Sequence, residues 1–373
     1  MSEAPRRALV TRRPSPALAI FVLTRAGIWA AAAFAFAWFP RHGGGFGYTL
    51  WVRTDSNWYT SIARHWYGAD PLHTPAFFPF YPALIAGLGR LIDNYDLAGL
   101  LISLVCCAVS FELLWRFAKP RLGPSGASRT VVYLALFPAA IYLQAVYTES
   151  LFLMLALAAF ALAERDHWFL AAVTAGLAML TRSIGVAVLA TLFVMAWPRI
   201  QRLGWLLVSL VIFSAFPLLL HFEIHSTWAF VHAQRQWDRS FSLAGPFGGL
   251  WVGIKALWGR GTGNFSEHFY LAMNIMNLVY VALFLALIPL VWRRVGRAYA
   301  LYALLTVAIP LSVPGSSGDF PLLSMPRFTM LAFPCFAALA SLGSRANTHT
   351  AIVAASATIL GIAIMQWTLG MPP

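Results

Sequence analysis

The chain has 373 residues, 60% of them hydrophobic and only 10% charged, with a net charge of +13. A soluble domain carries roughly 25% charged residues, so this chain cannot solvate its own surface as a free globule. Its solid apolar runs also exclude an outer-membrane barrel, which is built from alternating segments of roughly 10 residues, and its arginine-rich balance fits cytoplasmic loops and anionic lipid rather than nucleic acid.

A spanning helix needs roughly 20 apolar residues, and Arg and Lys gather on the cytoplasmic side. Segment 17–39 follows the basic tail RRALVTRRP. Its apolar run exceeds the roughly 7–15 residues of a cleavable signal, so it reads as a retained first span with the N-terminus in the cytoplasm. Residues 41–96 form a first long outer loop with partly buried helices, FFPFYPALIAGLGRLI among them. Leu97–Trp115 returns inside, and RFAKPRLGPSGASR, basic and without an acid, reads as a cytoplasmic loop. Val131–Tyr142, Leu151–Ala163, Phe169–Leu180 and Gly185–Trp197 cross in turn, each short for a full span. Leu203–Leu220 goes out, and 221–268 is a second outer loop. Phe269–Trp292 returns to RRVGR, Ala298–Leu311 goes out, Phe328–Leu342 returns, and Ala351–Trp367 ends outside. The expectation is an all-α polytopic protein of a bacterial cytoplasmic membrane, one domain over 1–373, with about eleven transmembrane helices.

This threading puts Asp55, Glu149, Arg182, Asp319 and Arg327 at or near the outer face. An ionisable residue at an apolar helix end is expensive and marks a candidate functional site. Asp55 sits in RTDSNWYTSIARHWYG, with Arg53 and Arg64 beside it, Arg41 upstream, and Trp58, Tyr59, Trp66 and Tyr67 around it. It reads either as a helix-capping acid or as a general base at the water–lipid boundary. Arg182 in AGLAMLTRSIGVAVL and Arg327 in SMPRFTMLAFP either snorkel to the interface or grip a phosphate with their planar forks. Glu149 opens a helix, where the dipole welcomes an acid, or pairs with an arginine. Cys106, Cys107 and Cys335 lie in apolar runs as small packing residues. DxD, HExxH, GxSxG and a phosphate-cradling glycine loop are all absent. That disfavours a nucleotide-activated substrate and leaves an activated lipid as the natural alternative.

Three stretches carry a resemblance: TDSNWYTSIARHWYG with FFPFYPALI close behind, VYTESLFLMLALAAFAL followed by AGLAMLTRSIG, and STWAFVHAQRQWDRS in the second outer loop. PRFTMLAFPCFAALA fits more loosely. Together they resemble the GPI mannosyltransferase II (PIG-V) family and its bacterial relatives, which are GT-C-fold glycosyltransferases. That family usually has Trp directly before the loop acid, where this chain has Thr54. The resemblance implies a polyprenyl-phosphate-linked sugar donor, most often mannose, and transfer on the outer face without a nucleotide. The matching position for the catalytic acid is Asp55.

The mechanism expected from these residues is an inverting single displacement onto a hydroxyl of a lipid, glycan or protein, with no metal or cofactor. Asp55 takes the acceptor proton, and Arg182 and Arg327 hold the departing phosphate. Trp58, Tyr59 and Tyr81 stack on sugar faces, Gln234 and Trp237 shape the acceptor side, and Glu149 lines the substrate site. Three alternatives stay open: transfer of another sugar such as arabinose or glucose, a lipid-linked-sugar-binding subunit without chemistry, and a secondary transporter.

Overall fold

The structure is a computed structural model that describes residues 15–39, 46–258, 265–315 and 320–371. The basic tail, Arg41 and Asp319 lie outside the described residues. Among the described residues all regular secondary structure is helical, apart from one isolated bridge between Arg239 and Gly315. After α1 (Ala17–Trp38), the first long connection folds into α2 (Asp55–His65) and α3 (Phe80–Ile92). The centre is built from α4 (Tyr95–Ala135), α5 (Glu149–Glu164), α6 (Trp168–Met179), α7 (Gly185–Ala196), α8 (Ile200–Trp205) and α9 (Leu207–Ile224). The second long connection holds α10 (Ala229–Gln236) and α11 (Pro246–Lys255). The bundle closes with α12 (Phe265–Arg294), α13 (Arg297–Leu311), α14 (Met325–Leu331), α15 (Pro334–Leu342) and α16 (Ala346–Thr368).

The chain is an integral membrane protein. By length and composition, α1, α4, the α8–α9 stretch, α12 and α16 can each cross a bilayer, and α14 with α15, bent by 76°, has the length and composition of a broken span or a re-entrant loop. The other expected crossings are shorter. The 12 residues of α6 or of α7 span only about 18 Å, against a hydrocarbon core of roughly 30 Å. These short helices are packed among longer neighbours, α6 against α5 and α9, and α7 against α13.

One expected loop is helix. Residues 116–129 continue α4, broken only at Gly123, whose φ of 71° lies between Pro120 and Pro124. The basic residues that suggested a loop are held by specific partners at this end of the bundle. Arg121 pairs with Glu164 and lies over the Phe117 and Tyr299 rings. Lys119 lies over Trp115, 4.7 Å from the ring centre. The expected crossing 131–142 likewise stops at Ala135 and passes into a 3-10 turn, Pro138–Leu143. Arg25, buried within α1, caps this break: Nη1 donates to the Ala140 carbonyl at 2.9 Å and Nη2 to that of Ala135 at 3.0 Å. A helix end in lipid needs such partners, because water is not there to supply them.

Helix α5 is the central element. Leu151, Phe152, Leu153, Ala156 and Phe160 are all at most 1% exposed, so it is enclosed on every side, as an all-round apolar helix requires. Its first residue, Glu149, is also fully buried, and that places a carboxylate at one end of the core.

Candidate functional site

Four charged side chains from four segments meet at this end. Asp55 is the first residue of α2 and Glu149 the first of α5, positions where the helix dipole favours an acid. Arg182 lies in the turn between α6 and α7. That turn is tight: a Cβ on Gly185 would fall 2.5 Å from the Met179 Cα, so glycine lets α7 start directly against the end of α6. Arg327 lies in the first turn of α14, behind the left-handed Ser324 with φ of 72°. Thr54, which precedes Asp55, has φ of 51°. This is a strained conformation for a β-branched residue, and its hydroxyl is held by Tyr147.

The four charges form one chain of contacts. Arg327 Nη1 donates to Asp55 Oδ2 at 2.7 Å, and its Nε donates to Glu149 Oε1 at 2.6 Å. Arg182 Nη1 donates to the same Glu149 oxygen and to Thr148 Oγ1, both at 2.8 Å. The Tyr142 and Tyr147 rings lie 4.8 and 4.6 Å from the Arg327 guanidinium. Glu149 is 0% exposed and both arginines 10%, whereas Asp55 is 28% exposed. Asp55 is therefore the acid of the pair that an incoming molecule can reach. Two acids and two arginines leave the cluster with no net charge.

The other expected site residues divide. Tyr81 is fully buried, donating to the Gly99 carbonyl at 2.9 Å and bonding Ser103 at 2.7 Å. It has no open face for a sugar, and the stacking role expected for it gives way to a packing role. Tyr59 is 6% exposed beneath the cluster, 3.4 Å from Thr148 Oγ1. Burial, and after it the Asp55 charge, push its phenol up to about 12, so it stays protonated at neutral pH. Trp58 stacks on Phe77 and meets His73 and Trp237. Trp237 donates from its indole to the His73 carbonyl at 3.2 Å. These contacts tie the second long connection to the first. Gln234 in α10 is half-buried, and its carbonyl accepts from the Trp237 and Arg239 amides at the end of that helix. Among the described residues no three His, Cys, Asp or Glu side chains come together as a metal site.

A cavity of about 620 Å³ leads away from the cluster. Its polar mouth holds Thr54, Asp55, Tyr147, Ser324 and Arg327. Below the mouth it runs between one face of α12, from Met273 through Tyr280 to Leu287, and one face of α16, from Ile352 through Ile359 to Gln366. Both faces follow helical spacing for 14 residues, about 21 Å at 1.5 Å per residue. The groove is thus deep, almost wholly apolar and headed by charge.

This all-helical membrane bundle has the GT-C fold. The structure of ArnT from Cupriavidus metallidurans bound to undecaprenyl phosphate shares this fold, with a TM-score of 0.54 at 14% identity, over 89% of this chain and 61% of that one. This chain thus spans less than two thirds of the length of ArnT. The dolichyl-phosphate-mannose-protein mannosyltransferase family matches residues 73–228, a stretch that includes Glu149 and Arg182. No curated protein matches the chain.

Proposed function

We propose that this chain is a membrane glycosyltransferase that moves a sugar, mannose being the favoured one, from a polyprenyl-phosphate donor to a hydroxyl acceptor. The observation that carries this reading is the ion pair of Asp55 and Arg327 at the mouth of a groove whose walls suit a prenyl chain. The match to dolichyl-phosphate-mannose-protein mannosyltransferases, and the fold shared with a protein solved with undecaprenyl phosphate, support the donor class. The resemblance to the PIG-V family favours mannose. The chain acts as one domain: the first long segment supplies the acid, and Trp237 of the second packs against Trp58 beside it.

In the reaction, the acceptor oxygen forms a bond to the anomeric carbon as the carbon–oxygen bond to phosphate breaks on the opposite face, so configuration inverts. The acceptor proton passes to Asp55, the most exposed of the four charged groups. The bonding electrons leave with the phosphate, and polyprenyl phosphate is released into the groove. Arg327 has two roles. At rest its Nη1 is occupied by Asp55; a donor phosphate at the mouth competes for that same donor group, and its capture frees Asp55 to accept a proton. Glu149 keeps the guanidinium in place through Nε, and Arg182 neutralises Glu149.

Orientation follows from charge. The end opposite the cluster carries Arg121, Arg202, Arg293, Arg294 and Arg345, and the positive-inside tendency assigns that end to the cytoplasm. This supports a cytoplasmic N-terminus and a site on the outer face. The test is to incubate membranes carrying the chain with labelled polyprenyl-phosphate mannose and acceptor-containing extract. A labelled product that disappears in Asp55→Asn supports the reading. Retention of the bound donor without any product, across lipid, glycan and protein acceptors, points to a binding subunit instead.

A further inference from the structure

The neutral cluster leaves a charge unanswered. A polyprenyl-phosphate donor is an anion, and the phosphate it leaves behind carries more charge still. The arginines of the cluster are already matched one to one by carboxylates: Glu149 takes Arg182 and part of Arg327, and Asp55 takes the rest. A further cation near the mouth would favour an anion entering the groove, and the second long segment brings Arg239 to Leu323.

Arg239 lies just beyond α10, behind the left-handed Asp238 with φ of 52°. The backbone there pairs with Gly315, and the Ser240 amide donates to the Pro314 carbonyl at 3.3 Å. This pairing lays the segment along the connection that leads into α14. Arg239 Nη2 then donates to the carbonyl of Leu323 at 3.3 Å. Leu323, Ser324, Pro326 and Arg327 all line the cavity, Ser324 and Arg327 at its mouth, so the bond to Leu323 fastens the guanidinium one residue from that mouth. Among the described residues Arg239 makes no ion pair, and the bond to Leu323 uses only one of its five N–H donors. Burial, and next the Arg327 charge, lower its proton affinity, while Asp55 raises it, so it senses the charges of the cluster.

We propose that Arg239 supplies the unmatched positive charge of the donor site and binds the phosphate of the prenyl-linked sugar at the Leu323–Ser324 rim. This rests on the donor reading above and adds a residue and a place to it. Arg182 becomes mainly a structural partner of Glu149, Arg327 becomes the group shared between acid and phosphate, and Arg239 becomes the fixed cation. The backbone pairing of Arg239 with Gly315 makes the second long segment part of the donor site.

The test compares binding of decaprenyl phosphate and uncharged decaprenol in phosphatidylcholine nanodiscs, for wild type, Arg239→Lys and Arg239→Gln. Gln keeps a donor for the Leu323 carbonyl and loses the charge; Lys keeps the charge. The expected result is decaprenyl phosphate binding weakened about tenfold or more in R239Q, as for loss of a hydrogen bond to a charged group, largely retained in R239K, with decaprenol binding unchanged in all three. Wild type preferring the phosphate while R239Q binds it equally well overturns the assignment and leaves the donor reading standing. R239K falling with R239Q also overturns it, because the role is then one of geometry and not of charge. Wild type with no preference for the phosphate overturns the donor reading and this assignment together. A phosphatidylglycerol arm separates sources: displacement by that lipid as effective as by decaprenyl phosphate marks a general anionic-lipid contact and overturns the donor assignment.

Discussion

Arg327 and Asp55 are 272 positions apart in sequence and 2.7 Å apart in the structure, from Nη1 to Oδ2. The same guanidinium reaches Glu149 through Nε. One planar fork thus joins a partly exposed acid to a fully buried one, a geometry that lysine, with its single ammonium, does not reproduce.

Asp55→Asn separates two effects of that pair. The amide cannot accept the acceptor's proton, so turnover falls by about 100-fold or more. The same change frees Arg327 Nη1 from its anionic partner, so polyprenyl phosphate should bind more tightly than to wild type. Both are read on folded protein in nanodiscs, by product formation and by lipid binding. Weaker phosphate binding in the variant would sink the competition between Asp55 and the donor.

Glu149→Gln removes the one charge that neutralises Arg182 and part of Arg327 inside the core. Breaking a buried ion pair from one side costs about 3–5 kcal/mol. Thermal unfolding of E149Q should show a loss of this order, with activity lost too. An unchanged melting curve would mean that the arginines find solvent or another partner.

Gly185→Ala tests how Arg182 is placed. The added methyl meets the Met179 backbone, which cannot yield as a side-chain tip can, and overpacking of this kind costs roughly 1–3 kcal/mol. The turn must open, moving Arg182 away from Glu149. A variant with native stability and donor affinity would show that the turn tolerates the methyl.

Arg25→Ala addresses the other buried cation. Arg25 touches no acid among its hydrogen-bond partners; it closes the carbonyls of Ala135 and Ala140 where α4 breaks ahead of Tyr142 and Tyr147. Its removal takes the guanidinium donors from both carbonyls, at a cost of about 2 kcal/mol. Hydrogen exchange across 136–148 should rise more than exchange in α12. Equal protection in both segments would assign Arg25 a general packing role.

The charged members of the site stand out in sequence for a simple reason. Glu149, Arg182 and Arg327 interrupt apolar runs, and a lone charge is costly there unless it has a partner, so the interruption itself marks them. Asp55 stands out as the acid among aromatics in the first long polar stretch. Arg239 carries no such mark. It sits in a polar loop beside Asp238, where a solvated arginine is ordinary, and only the bridge to Gly315 sets it at the rim. Tyr81 misleads in the opposite direction. An aromatic close behind a candidate acid looks available for stacking, yet the α3–α4 contact encloses it.

By itself the sequence determined the class of solvent this protein folds in, the helical content that lipid imposes, the two long polar segments and the charged residues that need partners. Each follows from local composition and the energetics of moving a residue from water into lipid. Only the tertiary structure decided which acid faces which arginine, that residues 116–129 continue a helix, and that α12 and α16 stand on either side of a groove. These depend on how far-apart helices pack, and the apolar stripe that tells a helix to enter the membrane does not say which neighbour it will meet there.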